Sequence, residues 1–194
     1  MSFNSFLLLS LLIMLPSISS ASLKDLVTSL LVYEEGVNPK GICVPYIDSL
    51  GFPTIGYGQL CQSVKVTTLA QANAACASYT KNCTPKKAKE WLAKEIDQKI
   101  SCIQSNANTK AAYNKASTYR KAILISMAFQ LKCGGLATKF KKTLIFMAEG
   151  DWANAASEML DSVWARQNPN RAKRYSYVIR NDKCGTFCKD YGWN

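Results

Sequence analysis

Only residues 42–60 of this chain read as β-structure, while the segments before them and after residue 84 read as helix, so strands and helices are segregated rather than alternating. Within that stretch the strand-favouring Tyr46, Ile47, Phe52, Thr54, Ile55 and Tyr57 are interrupted by Gly51, Pro53, Gly56 and Gly58. That pattern predicts short strands and tight turns in a small antiparallel sheet. Upstream, Ser22 offers an N-cap, and Leu23, Leu26, Val27, Leu30 and Leu31 recur at helical spacing up to Gly36, which predicts an amphipathic helix over 22–35. Downstream, Thr84 offers a second cap, with Pro85 at the first helical position, where a missing N–H costs nothing. Leu92, Ile96, Ile100 and Ile103 then recur at helical steps, with Glu90–Lys94 and Glu95–Lys99 as candidate pairs on the exposed face. The spacing predicts a long helix over 85–103 and further helices over 111–132, 137–149, 151–165 and 169–180, with Gly134-Gly135 and Gly150 as breaks and Asp151 as a cap. The expected fold class is α+β and mostly helical, with a small sheet in an N-terminal lobe, a long connecting helix and a C-terminal helical bundle.

The apolar run from Phe6 to Leu15 is short of the ~20 residues a membrane-spanning helix needs and is followed by Pro16 and small residues up to Ala21. It reads as a cleaved secretory signal over 1–21, although no Lys or Arg precedes the run; a membrane anchor is the rival reading, opposed by the run's length. The expected mature chain, 22–194, is a single domain: an α+β lobe over 22–84, the connecting helix over 85–103 and a helical lobe over 104–194. All eight cysteines lie beyond the apolar segment, and an even number on a secreted chain predicts disulfides. Zinc is the rival reading, opposed by the absence of histidine and of a paired C-x-x-C set. Connectivity stays open, with Cys184–Cys188 and Cys76–Cys83 as candidate local loops. The balance of 24 Lys+Arg against 13 Asp+Glu, net +11, favours polyanions such as bacterial walls, anionic membranes or nucleic acid without choosing among them.

Glu35-Gly36 at a predicted helix end, Asp48 in a hairpin and Thr54 beyond it offer two carboxylates and a hydroxyl. Hydrolysis of a glycosidic bond uses such a set: one carboxylic acid protonates the leaving oxygen and one carboxylate manages water or the sugar cation. Glu35-Gly36, Tyr46-x-Asp48 and Gly51-x-x-Thr54-Ile55-Gly56-Tyr57-Gly58 resemble the catalytic signature of the phage-type lysozymes, glycoside hydrolase family 24. Asp151-Trp152 and the run from Trp164 through Asn170-Arg171-Ala172-Lys173-Arg174 are similar to segments of that family's C-terminal lobe, as is Ser126-Met127-Ala128-Phe129-Gln130.

The resemblance implies roles residue by residue. Glu35 matches the general acid, and the negative end of a helix dipole favours its protonated form. Neighbouring Glu34 reads as an ordinary surface glutamate. Asp48 matches the second carboxylate, which accepts a proton from water, although a hairpin turn residue is its plainer reading. Thr54 matches a hydroxyl that holds that water. Arg171 matches a guanidinium that approaches the acid across the cleft; otherwise it is a surface arginine in a basic run with Lys173 and Arg174. Substrate contact is implied for Leu60, Phe129, Thr143 and Arg171, and Phe129 reads equally well as core. The segment between Glu35 and Asp48 is longer than the family's and contains Cys43, Gln59 stands where histidine is common, and Glu158 where an asparagine is usual. No metal and no cofactor is implied.

The expected function is a secreted lysozyme that hydrolyses the β-1,4 bond between N-acetylmuramic acid and N-acetylglucosamine with inversion. Its expected partner is bacterial peptidoglycan, not nucleic acid, and it is expected to act as a monomer without stable membrane insertion, outside the cell or in a digestive or phagosomal vacuole. A cationic wall- or membrane-binding protein without catalysis is the alternative from another class, and a chitinase differs only in substrate.

Overall fold

In the computed structural model, which describes residues 22–36 and 38–193, the chain opens with helix α1 (Leu23–Glu35). The expected signal segment over 1–21 lies outside the described residues. Ser22 and Asp25 form a reciprocal capping box, each side chain accepting from the other's backbone N–H at 3.2 Å. Val27, Leu30 and Leu31 are fully buried, and Gly36 stops the helix with a positive φ that a side chain would resist, leaving Glu35 as its last residue.

The sheet is small and antiparallel, with β1 (Tyr46–Ile47), β2 (Pro53–Ile55) and β3 (Gln59–Leu60) in that order. Thr54 in the middle strand faces Tyr46 on one side and Leu60 on the other. Helices α2 (Leu69–Ala75) and α3 (Ala77–Lys81), absent from the sequence reading, follow the sheet. The disulfides Cys43–Cys83 and Cys61–Cys76 tie them to it. The candidate loop Cys76–Cys83 is therefore not formed, while Cys184–Cys188 is.

Thr84 caps the long helix α4 (Pro85–Ser105), its hydroxyl accepting from Lys87 N at 3.0 Å. Glu95 pairs with Lys99 at 3.3 Å, but Glu90 takes Lys87 rather than Lys94, at 2.9 Å. α4 serves two cores: Leu92, Ile96 and Ile103 join the main helical core, while Ala88 and Trp91 pack with Ile55 and Cys76 beneath the sheet. Gly56 (φ +68) lets the sheet lie close here, because a Cβ on it would sit 3.4 Å from that of Ala88 and 3.6 Å from the Trp91 ring. Gly56→Ala is expected to lose roughly 1–2 kcal/mol, since it meets both the positive φ and this contact. The midpoint of urea unfolding reads the loss, and an unchanged midpoint would mean that the sheet is not seated on α4.

Helices α5 (Ala107–Lys115), α6 (Thr118–Lys139), α7 (Lys141–Glu149), α8 (Trp152–Leu160), α9 (Val163–Gln167) and α10 (Pro169–Asn181) complete the bundle. A 3-10 turn (Gly185–Phe187) and α11 (Cys188–Tyr191) follow. Three boundaries differ from expectation. The segment 111–132 is not one helix, because Ser117 caps a new one; 151–165 divides where Ser162 caps α9 through Ala165 N at 3.0 Å. Gly134-Gly135 does not break the chain; the break inside α6 falls at Lys132, with φ 57 and ψ 158. Just beyond it Cys133 is bonded to Cys102 of α4. Asp151 caps α8 as expected, accepting from Asn154 N at 3.1 Å. The chain's end returns to α1, where Trp193 Nε1 donates to Leu26 O at 3.0 Å. The fold is thus α+β and mostly helical, and among the described residues no helix is long and apolar enough to cross a membrane.

Candidate active site

α1 delivers two consecutive carboxylates to the basic face of α10, and they divide the work. Glu34, with 4 % of its side chain exposed, accepts from Arg171 Nε at 2.9 Å, Arg174 Nη2 at 2.7 Å, Arg174 Nε at 3.1 Å and the Tyr191 hydroxyl at 3.0 Å. Its backbone carbonyl also accepts from Arg171 Nη2. The reading of Glu34 as an ordinary surface glutamate is therefore corrected: it is the buried counter-charge of two arginines. Only Nη1 of Arg171 reaches Glu35, at 3.0 Å from Oε1, and Glu35 keeps 29 % of its side chain exposed. Its Oε2 is left unclaimed among the described residues. Burial opposes the charge on Arg171, but Tyr175, Glu35 and Glu34 override it and raise its pKa. Arg174 is raised too: burial opposes its charge, and its hydrogen bond to Glu34 heads the opposing causes. Arg171 is thus no member of a solvated basic run; its side chain is 9 % exposed.

Asp48 lies at the turn that follows β1. Its Oδ1 accepts from Leu50 N at 2.9 Å and Phe52 N at 2.8 Å, while its own N–H donates to Phe52 O at 2.9 Å. One carboxylate oxygen thus fixes the hairpin, and Oδ2 stays unclaimed among the described residues, so the turn role and a chemical role are compatible. Thr54 is 3 % exposed and donates its hydroxyl proton to Phe52 O at 3.1 Å. While that bond is held, its oxygen is free to accept. Tyr46, read in the sequence as a strand former and as the first residue of the Tyr46-x-Asp48 motif, senses both carboxylates: burial raises its pKa, and the charges of Glu35 and then Asp48 raise it further.

Asp48, Thr54, Leu60 and Phe129 line one cavity of about 440 Å³, with Leu50, Phe52, Gly58 and Ser63 on the sheet side and Glu95, Lys99, Gln130 and Lys132 on α4 and α6. Glu35 stands outside that lining, at the end of α1. Leu60 is exposed to the cavity, whereas Phe129 both lines it and packs against the main core. Thr143 is not brought there: it is 2 % exposed and lies in a separate pocket with Phe140, Lys142 and Glu158, the last two paired at 3.7 Å. Gln59 turns back on its own strand, its Nε2 donating to Leu60 O at 2.8 Å. Among the described residues no group of three or more His, Cys, Asp or Glu side chains is placed to hold a metal ion.

Chemically, the arrangement offers a carboxyl oxygen at Glu35 for proton donation and, in the cleft, two acceptors for one water. Asp48 and Thr54 can take both protons of a water and leave its lone pair for attack. Sequence reasoning missed Glu34, Arg174, Tyr191 and Tyr46 as parts of this surround. Glu34 carried a signal, because Val27, Leu30, Leu31 and Glu34 follow the i, i+3, i+4, i+7 spacing of a buried face.

The sequence model of phage lysozyme matches residues 34–176, a span that holds Glu35, Asp48, Thr54 and Arg171. The chain is 31 % identical over 173 residues to probable T4-type lysozyme 1 of Dictyostelium discoideum, covering 82 % of this chain and 94 % of that protein. It is 31 % identical over 185 residues to probable T4-type lysozyme 2 of the same organism, covering 88 % and 98 %. It is also 30 % identical over 142 residues to the pre-baseplate central spike protein Gp5 of Enterobacteria phage T4, covering 69 % of this chain and 24 % of that protein. With the carboxylates, the hairpin and the arginine clamp all inside the matched span, this chain belongs to the phage lysozyme family.

Proposed function

We propose that the chain is a secreted muramidase that hydrolyses the β-1,4 bond between N-acetylmuramic acid and N-acetylglucosamine of bacterial peptidoglycan, with inversion, to kill or digest bacteria. Glu35 is the acid that protonates the leaving sugar oxygen. Asp48 takes the proton of the attacking water, and Thr54 holds that water. Leu60 and Phe129 line the glycan's path, Thr143 belongs to a more distant subsite, and Arg171 holds Glu35 in place. The observation that carries the reading is that Asp48 and Thr54 line the same cavity, with the Thr54 hydroxyl donating to Phe52 O at 3.1 Å and its oxygen free to accept from a water beside Asp48.

Four disulfides and the absence, among the described residues, of a spanning helix are compatible with secretion. In this reading residues 1–21 are removed, and the mature chain works as a monomeric single domain, with lobes over 22–84 and 104–194, outside the cell or in a digestive vacuole. The net charge of +11 also suits a wall-binding protein without catalysis, so the test must read bond cleavage. The mature chain incubated with purified peptidoglycan is expected to release new reducing ends, first seen by NMR as the α-anomer, while chitin oligomers are cut poorly. Clearing or binding of walls without new reducing ends would overturn the enzyme reading. A β-anomer would remove the water-holding roles of Asp48 and Thr54.

A further inference from the structure

Beside α1 and the end of the chain lies a groove of about 630 Å³ that shares no lining residue with the cleft. One wall is the outer face of α1, with Thr28 and Tyr33, and the other is the end of α11 with the turn after it, from Lys189 to Gly192. Buried groups bond the two walls to each other. The Tyr191 hydroxyl donates to Glu34 Oε1 at 3.0 Å, and the Trp193 indole donates to Leu26 O at 3.0 Å and to Ser29 Oγ at 3.2 Å. The Cys184–Cys188 bond closes the turn that leads into α11. A groove braced in this way exists before a ligand arrives, as binding sites commonly do.

Its chemistry suits a neutral sugar better than an anion or a peptide. The charged side chains that line it are two acids, Asp25 and Asp190, and two lysines, Lys89 and Lys189, whereas the whole chain carries +11. Such a balance gives the groove no field to gather a polyanion. Tyr33 supplies an aromatic surface, 44 % exposed, standing at 77° to the Tyr191 ring with centres 5.4 Å apart and with the Arg174 guanidinium 5.4 Å from its own centre. The ring is exposed yet held in one orientation, so seating a ligand on it costs little further ordering. Beside it the Thr28 hydroxyl and the Asp190 carboxylate, bonded to no other group among the described residues, offer a donor and acceptors. A pyranose matches that set, because its C–H groups pack on an aromatic ring while its hydroxyls reach outwards to polar groups. Peptide side chains would need apolar pockets, and Val32 is the one aliphatic hydrocarbon side chain of the lining.

We infer that this groove binds a second glycan strand of peptidoglycan, one that the cleft is not cutting, as an additional point of attachment to the wall, an inference that rests on the muramidase reading. A wall is an insoluble array of strands, so a protein held at two points leaves it only when both let go, and the second contact lengthens residence without any change at the cleft. On short soluble strands, which do not hold a second strand nearby, the groove adds nothing.

The test measures cleavage of intact insoluble peptidoglycan and of short soluble strands by the native chain, Tyr33→Ala, Tyr33→Trp and Asp190→Ala. Tyr33→Ala is expected to lower the rate on intact walls about 10-fold and to leave the rate on short strands unchanged. Asp190→Ala is expected to lose about 3-fold on walls alone, and Tyr33→Trp keeps the native rate because it keeps an aromatic ring. Equal losses on both substrates would mean that Tyr33 acts through Arg174 and the clamp, and no loss on walls would mean that the groove is idle; either result overturns the inference. Co-sedimentation of the native chain and Tyr33→Ala with insoluble glycan stripped of its peptides by an amidase reads binding directly, and weaker binding by Tyr33→Ala is expected. Displacement by free stem peptides, with no difference between the two chains on stripped glycan, would overturn the sugar assignment. If the native chain cuts neither substrate, the muramidase reading fails, and the co-sedimentation still decides whether Tyr33 holds glycan.

Discussion

Glu35→Gln is expected to lower the rate of peptidoglycan cleavage by about 10³-fold while leaving the melting temperature within a few degrees of the native value. Glutamine keeps the shape of the side chain and an oxygen that accepts from Arg171 Nη1, now held at 3.0 Å. It has no acidic proton, so the leaving sugar oxygen must depart unprotonated. Little of the clamp depends on Glu35, because Arg171 retains its bonds to the Glu34 carboxylate and carbonyl. Asp48→Asn gives a parallel result for the base: its amide oxygen still accepts from Leu50 N and Phe52 N, so the hairpin survives while the water loses its proton acceptor. Reducing ends and melting curves, measured together, separate chemistry from folding. Retention of more than a tenth of native activity by Glu35→Gln would remove Glu35 from the acid's role.

What was legible in the sequence followed from local chemistry. α1 and α4 announce themselves by Ser22 and Thr84 caps, by Pro85 and by apolar spacing, and the sheet by β-formers set among glycines. The breaks at Ser117 and Ser162 were not legible, because a serine inside an apolar run caps a helix only when tertiary packing turns the chain there. Gly134-Gly135 misled for the opposite reason: the chain turns at Lys132, and a left-handed lysine leaves no compositional mark. Disulfide pairing is long-range, so the closeness of Cys76 to Cys83 in sequence said nothing of their partners Cys61 and Cys43. At the site, Glu35, Asp48 and Thr54 stood out through the motif. The face of α1 pointed Glu34 inward, but glutamates are so seldom buried unless paired that residue type outweighed register. Its partners lie more than 130 residues along the chain, where no local pattern reaches.

Arg171→Met is expected to destabilise the fold by about 3–5 kcal/mol, a large part of the ~5–15 kcal/mol a domain of this kind has to lose. A surface ion pair would be worth well under ~1 kcal/mol, because water solvates either partner once the other is gone. Here water has little access, with the side chains of Arg171 and Glu34 exposed by 9 % and 4 %. Methionine fills much of the volume but leaves Glu34 without its bonds to Nε and to Nη2, so a buried carboxylate must rely on Arg174 and Tyr191 alone. The loss also frees Glu35, so activity should fall even in the folded fraction. Pairing the change with Glu34→Leu is expected to cost less than the sum of the single changes, since it removes the stranded charge as well as its partner. Urea unfolding of the two single variants and the double variant measures this coupling. A loss below about 1 kcal/mol for Arg171→Met would mean that the guanidinium is hydrated like a surface arginine, and that the clamp does not hold α10 to the end of α1.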